Sequence, residues 1–135
     1  FSTMDAVEKQ VTLLQQLRTA YKPDKGVVEV PKSVFAELLA ELVSADFDEG
    51  WYLSTYRDVS KAIKDKAVSS ALAHYVQFGF FEGRLPFPVP VDETDYMKRH
   101  PDVDDAVKKG AFADGETHFM TIGFAEGRSF RLVRA

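Results

Sequence analysis

The sequence HYVQFGFFEGR at residues 74–84 returns at residues 118–128 as HFMTIGFAEGR, with the histidine, both glycines, the glutamate and the arginine in the same order. Extending this comparison places residues 47–90 over residues 91–134 without a gap, and 15 of the 44 positions are identical. Chance alone would match only a few positions over this length. The chain therefore contains a tandem repeat of 44 residues, and the repeat decides how the fold is built.

Each copy of the repeat predicts three short helices. The helix starts are marked by residues whose side chains accept hydrogen bonds from free backbone N–H groups or suit the positive end of the helix dipole. These residues are Asp48 and Asp92 for the first helix, Asp58 and Asp102 for the second, and Ser70 and Asp114 for the third. We expect the third helix to end at Gly79 and Gly123, because glycine readily adopts the left-handed conformation that terminates helices.

The residues ahead of the repeat predict two further helices. Apolar residues recur at steps of three and four over residues 4–21, and a second apolar stripe runs over residues 32–44. A turn at residues 22–26 and a short extended run at residues 27–30 separate them. The predicted fold class is all-α: amphipathic N-terminal helices followed by two stacked 44-residue three-helix repeats.

The predicted organisation has four parts. Residues 1–3 resemble a tag remnant in front of a natural start at Met4, residues 4–46 form the N-terminal helical region, and the repeats occupy residues 47–90 and 91–134. With Met4 as the start the chain has no signal peptide, so we expect a cytoplasmic location.

Composition argues against several classes of function. The net charge is −4 and neither the N-terminal region nor either repeat is basic, so we expect no binding of nucleic acid. Charged residues interrupt every apolar stretch, which predicts no membrane insertion. The chain has no cysteine, its histidines and acids lack the spacings of zinc and calcium sites, and its glycines lack those of a phosphate loop, so we predict no metal and no cofactor.

The repeat carries a recognisable motif in its second copy. Tyr96 is followed by Pro101-Asp102-Val103, then by Ala106-Val107 and Gly110, and finally by His118-Phe119 and the Glu126-Gly127-Arg128 element. This pattern resembles a short helical repeat of bacteria that occurs beside glycosyltransferase and polysaccharide-biosynthesis domains and within large secreted calcium-binding proteins. The first copy departs from it, with Tyr56-Arg57 before Asp58 and Lys66 in place of the glycine. The resemblance implies a glycan or cell-surface context and carries over no catalytic residue.

The polar residues common to both copies have two interpretations. Histidine and arginine can serve a ligand or a reaction, or they can hold the helices of each copy together. We favour the structural role, because a fold that occurs twice needs its packing residues twice, whereas catalysis seldom needs the same group twice. The residues concerned are Asp58, His74, Glu82, Arg84, Asp102, His118, Glu126 and Arg128.

Aromatic residues found in only one copy need a separate explanation. The first copy has them where the second has Asp95, His100, Ala125 and Arg131. They are Trp51, Tyr56, Phe81 and Phe87. Either they pack within the chain or they form a surface for a protein or a glycan, and both interpretations stay open.

The first helix also predicts self-association. Met4, Val7, Val11, Leu14 and Tyr21 follow the spacing of a coiled-coil seam, although Leu13 and Leu17 widen the stripe enough for packing inside the chain. A helix of this length is marginally stable in water without a partner surface. We therefore predict a homodimer built around residues 4–21, with residues 34–43 as a further candidate part of the interface, which leaves the second repeat free for another partner.

No nucleophile–base set or phosphate loop is evident, so we predict that the chain is not an enzyme. The predicted function is a protein-interaction, scaffold or regulatory module of bacterial polysaccharide or cell-surface biosynthesis. A carbohydrate-binding module and an accessory subunit of a glycan-processing enzyme are the alternatives.

Overall fold

The computed structural model describes residues 3–134, with side chains from residue 5 onward. Within that range the fold is all-α, as predicted, with eight α-helices and one two-stranded sheet. The predicted tag remnant lies outside the described residues except for Thr3, which begins the first helix. The chain divides into two compact units, Phe1–Ala45 and Asp46–Ala135, and the second unit holds both copies of the repeat.

The N-terminal unit contains two helices and a hairpin between them. In chain order its elements are α1 (Thr3–Ala20), β1 (Tyr21–Lys22), β2 (Val27–Val28) and α2 (Lys32–Val43). The predicted first helix was one residue too long, because Tyr21 pairs with Val28 in the antiparallel hairpin instead of extending α1. Gly26 adopts a φ of 66° in the predicted turn, where its missing Cβ removes the steric penalty.

The two helices of this unit contact each other along one face of α1. Leu13 is buried on α1, and Val34, Leu39 and Val43 are buried on α2. At the edge of this contact, Lys9 and Glu41 form an ion pair of 3.4 Å. Burial of these aliphatic side chains stabilises the pair of helices, since an exposed ion pair contributes little.

The repeat unit contains the two sets of three helices that the sequence predicts. The first copy forms α3 (Glu49–Thr55), α4 (Asp58–Lys64) and α5 (Ala71–His74), and the second forms α6 (Glu93–Arg99), α7 (Pro101–Lys108) and α8 (Gly115–His118). Four predicted capping residues accept a hydrogen bond from the backbone N–H three residues ahead, as expected of N-caps. They are Asp48, Ser70, Asp92 and Asp114.

The helical segment of each copy ends at Gly79 and Gly123, as predicted, but these glycines do not adopt the left-handed conformation that we expected. In both copies the chain continues from α5 and α8 as a π-helical turn, over Tyr75–Gly79 and Phe119–Gly123. Gly79 has a right-handed φ of −57°. The left-handed residues come four positions later, at Gly83 and Gly127, with φ of 79° and 74°. Gly79 and Gly123 are therefore explained by close packing rather than by a left-handed helix end.

The same turn occurs after α4 and α7 with different residues. Lys66 has a φ of 62°, and its counterpart Gly110 has a φ of 82°. A lysine in this conformation costs about 1 kcal/mol relative to glycine, because its Cβ approaches the following carbonyl. The first copy thus keeps the shape of the repeat although it lacks the glycine of the motif.

In each copy of the repeat, the last segment hydrogen-bonds to the residue that precedes the first helix. The N–H of Asp48 donates to the carbonyl of Pro86 at 3.1 Å, and the N–H of Asp92 donates to the carbonyl of Arg131 at 2.7 Å. The copies contact each other at Gly83, where an added methyl group would come within 2.7 Å of Ala125 Cβ. The trailing segment of each repeat therefore fixes the start of its first helix, and the absence of a side chain at Gly83 allows the second repeat to approach.

Candidate functional site

A buried tyrosine–histidine pair lies at the centre of each repeat. The hydroxyl of Tyr52 is 2.8 Å from Nδ1 of His74, and the hydroxyl of Tyr96 is 2.9 Å from Nδ1 of His118. All four side chains are buried. In each pair the tyrosine lies on the first helix and the histidine on the third, 22 residues later, so the hydrogen bond joins two helices.

The glycine of the π-helical turn makes room for each pair. A methyl group on Gly79 would collide with the Tyr52 hydroxyl, and one on Gly123 would collide with the Tyr96 hydroxyl. The same methyl on Gly123 would lie 3.3 Å from Nδ1 of His118. Any residue larger than glycine at this position would therefore displace the tyrosine–histidine hydrogen bond.

Burial sets the protonation of both pairs. It lowers the pKa of His74 and His118, and the neighbouring Arg84 and Arg128 guanidiniums lower it further. Burial also raises the pKa of the Tyr52 and Tyr96 hydroxyls. At neutral pH the imidazoles are therefore uncharged and the phenols protonated, an arrangement in which the tyrosine O–H can donate to the histidine nitrogen.

These pKa shifts predict a pH dependence of stability. Unfolded histidine has a pKa of about 6.5. Because the folded pKa of His74 and His118 is lower, the unfolded chain takes up protons first as the pH falls. Their contribution to stability is full above about pH 6.5 and is lost as the pH falls through the folded pKa. We expect urea unfolding to give a smaller free energy of unfolding at about pH 5.5 than at about pH 7.5.

A double variant provides the control for this pH dependence. Replacing both His74 and His118 by asparagine, which has no side-chain pKa in this range, should lower stability and flatten the slope between the two pH values. An equally steep slope in the double variant would mean that other groups take up the protons.

An arginine in each copy joins the second helix to the end of the third. Both terminal nitrogens of Arg84 donate to the Asp58 carboxylate at 2.9 Å, and Nε lies 3.0 Å from Glu82. The second copy repeats the arrangement with Arg128, Asp102 and Glu126. The hydrogen bonds from Arg128 lower the pKa of Asp102 to about 2. Because the carboxylates are largely exposed, these contacts contribute orientation more than free energy.

The four unmatched aromatic residues have different neighbours in the structure. Trp51 and Tyr56 contact each other edge to face, with ring centroids 5.9 Å apart. The Tyr56 hydroxyl accepts from the Leu85 N–H at 3.0 Å, and Arg84 lies over its ring. Tyr56 is thus engaged within its own copy, as is its counterpart His100, whose Nε2 lies 2.8 Å from the carbonyl of Ser129.

The other two unmatched aromatics contact other parts of the chain. Phe81 packs edge-on against Phe80 and keeps 48% of its surface exposed. Phe87 is half-buried and lines an apolar groove at the junction of the repeats. The sequence predicted these residues as a group, but the structure distributes them among three environments.

The junction groove was not predicted. It has a volume of about 360 Å³ and is bounded by aromatic, proline and aliphatic side chains from both copies. Its walls include Tyr75, Phe119, Phe124, Phe130 and the connector at residues 85–90. The only sequence feature that could have indicated this groove was the Pro-Phe-Pro-Val-Pro run at residues 86–90. An alternation of proline with apolar residues indicates an extended segment, but not which side chains face it.

The apolar surface of α1 is divided between two faces. Leu13 is buried and Leu17 is half-buried on one face. Val7, Val11 and Leu14 lie on another face and remain 50%, 46% and 63% exposed. These three residues of the predicted coiled-coil seam are therefore on the surface of the N-terminal unit. The side chain of Met4 lies outside the description, and Tyr21 is half-exposed in β1.

No protein-family model, curated protein or solved structure was found that matches this chain. Among the described residues, no helix is both long and apolar enough to cross a membrane. Over the same residues, no three histidine or carboxylate side chains are grouped so that they could hold a metal ion.

Proposed function

We propose that this chain is a non-catalytic protein-interaction module that joins two copies of itself through α1 and presents its repeats to another protein. The exposed face of α1 is the observation that carries the proposal. Val7, Val11 and Leu14 lie at successive positions of a helical seam and are each about half exposed or more. Contiguous apolar residues on a soluble helix are typical of an interaction surface.

The division of α1 into two faces supports this assignment. A helix that needed its apolar residues only for its own unit would turn them toward α2. Instead Leu13 is buried and Leu17 half-buried, whereas the seam residues stay exposed and are left for a second surface. A dimer would cover these three aliphatic side chains on each of its two chains. Each Å² of apolar surface removed from water in this way stabilises the dimer by about 25 cal/mol.

The polar residues common to both copies support a non-catalytic role. Each histidine is hydrogen-bonded to a tyrosine, and each arginine is held by two carboxylates of its own repeat. Groups engaged in this way hold the helices together rather than presenting a reactive atom. We propose a structural role for the tyrosine–histidine and arginine–carboxylate sets in both repeats.

The aromatic residues favour protein binding over carbohydrate binding. A sugar ring stacks on an open aromatic face, but Arg84 already lies 4.8 Å from the centre of the Tyr56 ring. Phe81 already packs against Phe80, with ring centroids 5.1 Å apart. As part of the same proposal, we place the module in bacterial polysaccharide or cell-surface biosynthesis, on the strength of the motif at residues 96–128.

A charge on the seam tests this function. Leu14→Glu places a carboxylate where the second copy would pack, and we expect the dimer dissociation constant to rise about 100-fold or more, since a buried unpaired charge costs several kcal/mol. Gln16→Glu adds the same charge at an exposed position on the side of the helix opposite the seam and should leave association nearly unchanged. Sedimentation velocity of the intact chain and both variants measures this. Equal association of all three would remove α1 from the interface.

A further inference from the structure

We infer that the surface covering the α1 seam is α1 of a second copy of this chain, and that the two helices run antiparallel. This inference rests on the proposed self-association and adds the orientation of the pair. Two observations support the antiparallel orientation: the distribution of charge along α1 and the heptad positions of its seam.

The two halves of α1 carry opposite charges. The first half contains Asp5, Glu8 and Lys9, and Lys9 is paired with Glu41 on α2 of the same chain. From Val11 to Ala20 the only charged residue is Arg18. The N-terminal half of the helix is therefore acidic and the C-terminal half is basic.

Arg18 lies on the seam itself. It follows Leu14 by four residues, as Val11 follows Val7, and therefore takes the next position of the same face. A parallel pair would oppose Arg18 to the partner's Arg18 and bring the two acidic ends together. Like charges in such close contact destabilise a pair of helices.

An antiparallel pair removes this conflict. In the heptad of the seam, Val11 and Arg18 occupy a positions, and Val7 and Leu14 occupy d positions. In antiparallel coiled coils an a residue packs against a d residue, so Val11 faces Leu14 of the other copy and Val7 faces Arg18. The aliphatic stem of Arg18 can then cover Val7 while its guanidinium reaches the acidic region around Glu8. Antiparallel helix dipoles also attract each other, which adds to the preference.

Two threonines of α1 offer a matched pair of positions for measuring the orientation. Thr12 and Thr19 are seven residues apart, so they lie on the same side of the helix, and both are exposed. Each donates its hydroxyl hydrogen to a carbonyl of the preceding turn. Because the chain has no cysteine, Thr12→Cys and Thr19→Cys each accept one spin label per chain.

The distance between labels in the dimer distinguishes the orientations. With Val11 opposite Leu14, the two Thr12 labels lie almost level along the axis, whereas the two Thr19 labels are about 20 Å apart along it, from the rise of about 1.5 Å per residue. We therefore expect pulsed dipolar spectroscopy to give a clearly longer distance for Thr19 than for Thr12. Equal distances at both positions would show a parallel pair and overturn this inference while leaving the dimer intact. No dipolar coupling at either position, with a monomeric mass, would overturn both the inference and the proposed self-association.

Discussion

Replacing Gly123 by alanine is expected to lower the free energy of unfolding by about 3 kcal/mol, as in other overpacked cores. The added methyl group would collide with the Tyr96 hydroxyl and lie 3.3 Å from the His118 ring. Moving the hydroxyl away would leave a buried imidazole nitrogen without its partner, which itself costs about 1–3 kcal/mol. Urea unfolding followed by circular dichroism measures the loss.

A second substitution tests the cause. In a Tyr96→Phe background the hydroxyl is gone, so the methyl group of Gly123→Ala has space and its effect should shrink by more than about 1 kcal/mol. Gly50→Ala is the matched control, because Gly50 lies in α3 and a Cβ there would meet only Asp48 Oδ1 at 3.9 Å. That control should be neutral or stabilising by up to about 1 kcal/mol. Additive effects of Gly123→Ala and Tyr96→Phe would contradict the packing explanation.

Replacing Tyr96 by alanine is expected to lower the free energy of unfolding by about 4 kcal/mol, typical of a large buried aromatic side chain. Tyr96 is fully buried and belongs to the core of the second repeat with Val91, Val103 and Phe119. Tyr96→Phe should cost about 1–2 kcal/mol, because it removes only the hydrogen bond to His118. Thermal and urea unfolding of the two variants separate packing from hydrogen bonding.

An exposed aromatic residue serves as the comparison for Tyr96. Phe81 has a side chain of similar size but is 48% exposed, so Phe81→Ala should cost less than about 1 kcal/mol. Tyr52→Ala in the first repeat should resemble Tyr96→Ala, since Tyr52 is equally buried and contacts His74 in the same way. A loss for Tyr96→Ala no larger than that for Phe81→Ala would be incompatible with a core position.

The helix starts could be predicted from sequence because they depend on local chemistry. Asp48, Ser70, Asp92 and Asp114 act within three residues of themselves, so their neighbours in the sequence are also their partners in space. The repeat strengthened each prediction, because the same offset placed a second capping residue in the other copy. By contrast, the two-residue strands of the hairpin are too short to show an alternating pattern.

The role of Gly79 and Gly123 could not be read from sequence. A glycine before an aromatic residue is compatible with a left-handed helix end and with close approach of another group, and both uses are common. The difference lies in Tyr52 and Tyr96, whose contact with these glycines spans 27 residues of chain. The π-helical turns have no sequence signal either, since they differ from α-helix only in hydrogen-bond register.

The apolar residues of α1 were predicted, but their division between two faces was not. Periodicity placed Leu13, Leu14 and Leu17 within one broad stripe. Which of them faces α2 depends on where α2 packs, and the periodicity of the α1 sequence carries no information about that. The structure buries Leu13 and leaves Leu14 on the surface, and that distinction underlies the proposed interface.

The mass of the intact chain in solution tests the central claim most directly. The proposal that α1 joins two copies predicts, by light scattering during size-exclusion chromatography, a mass of twice 15.2 kDa that falls toward 15.2 kDa only on dilution. A mass of 15.2 kDa at every concentration, including the highest that the chain tolerates, would contradict it.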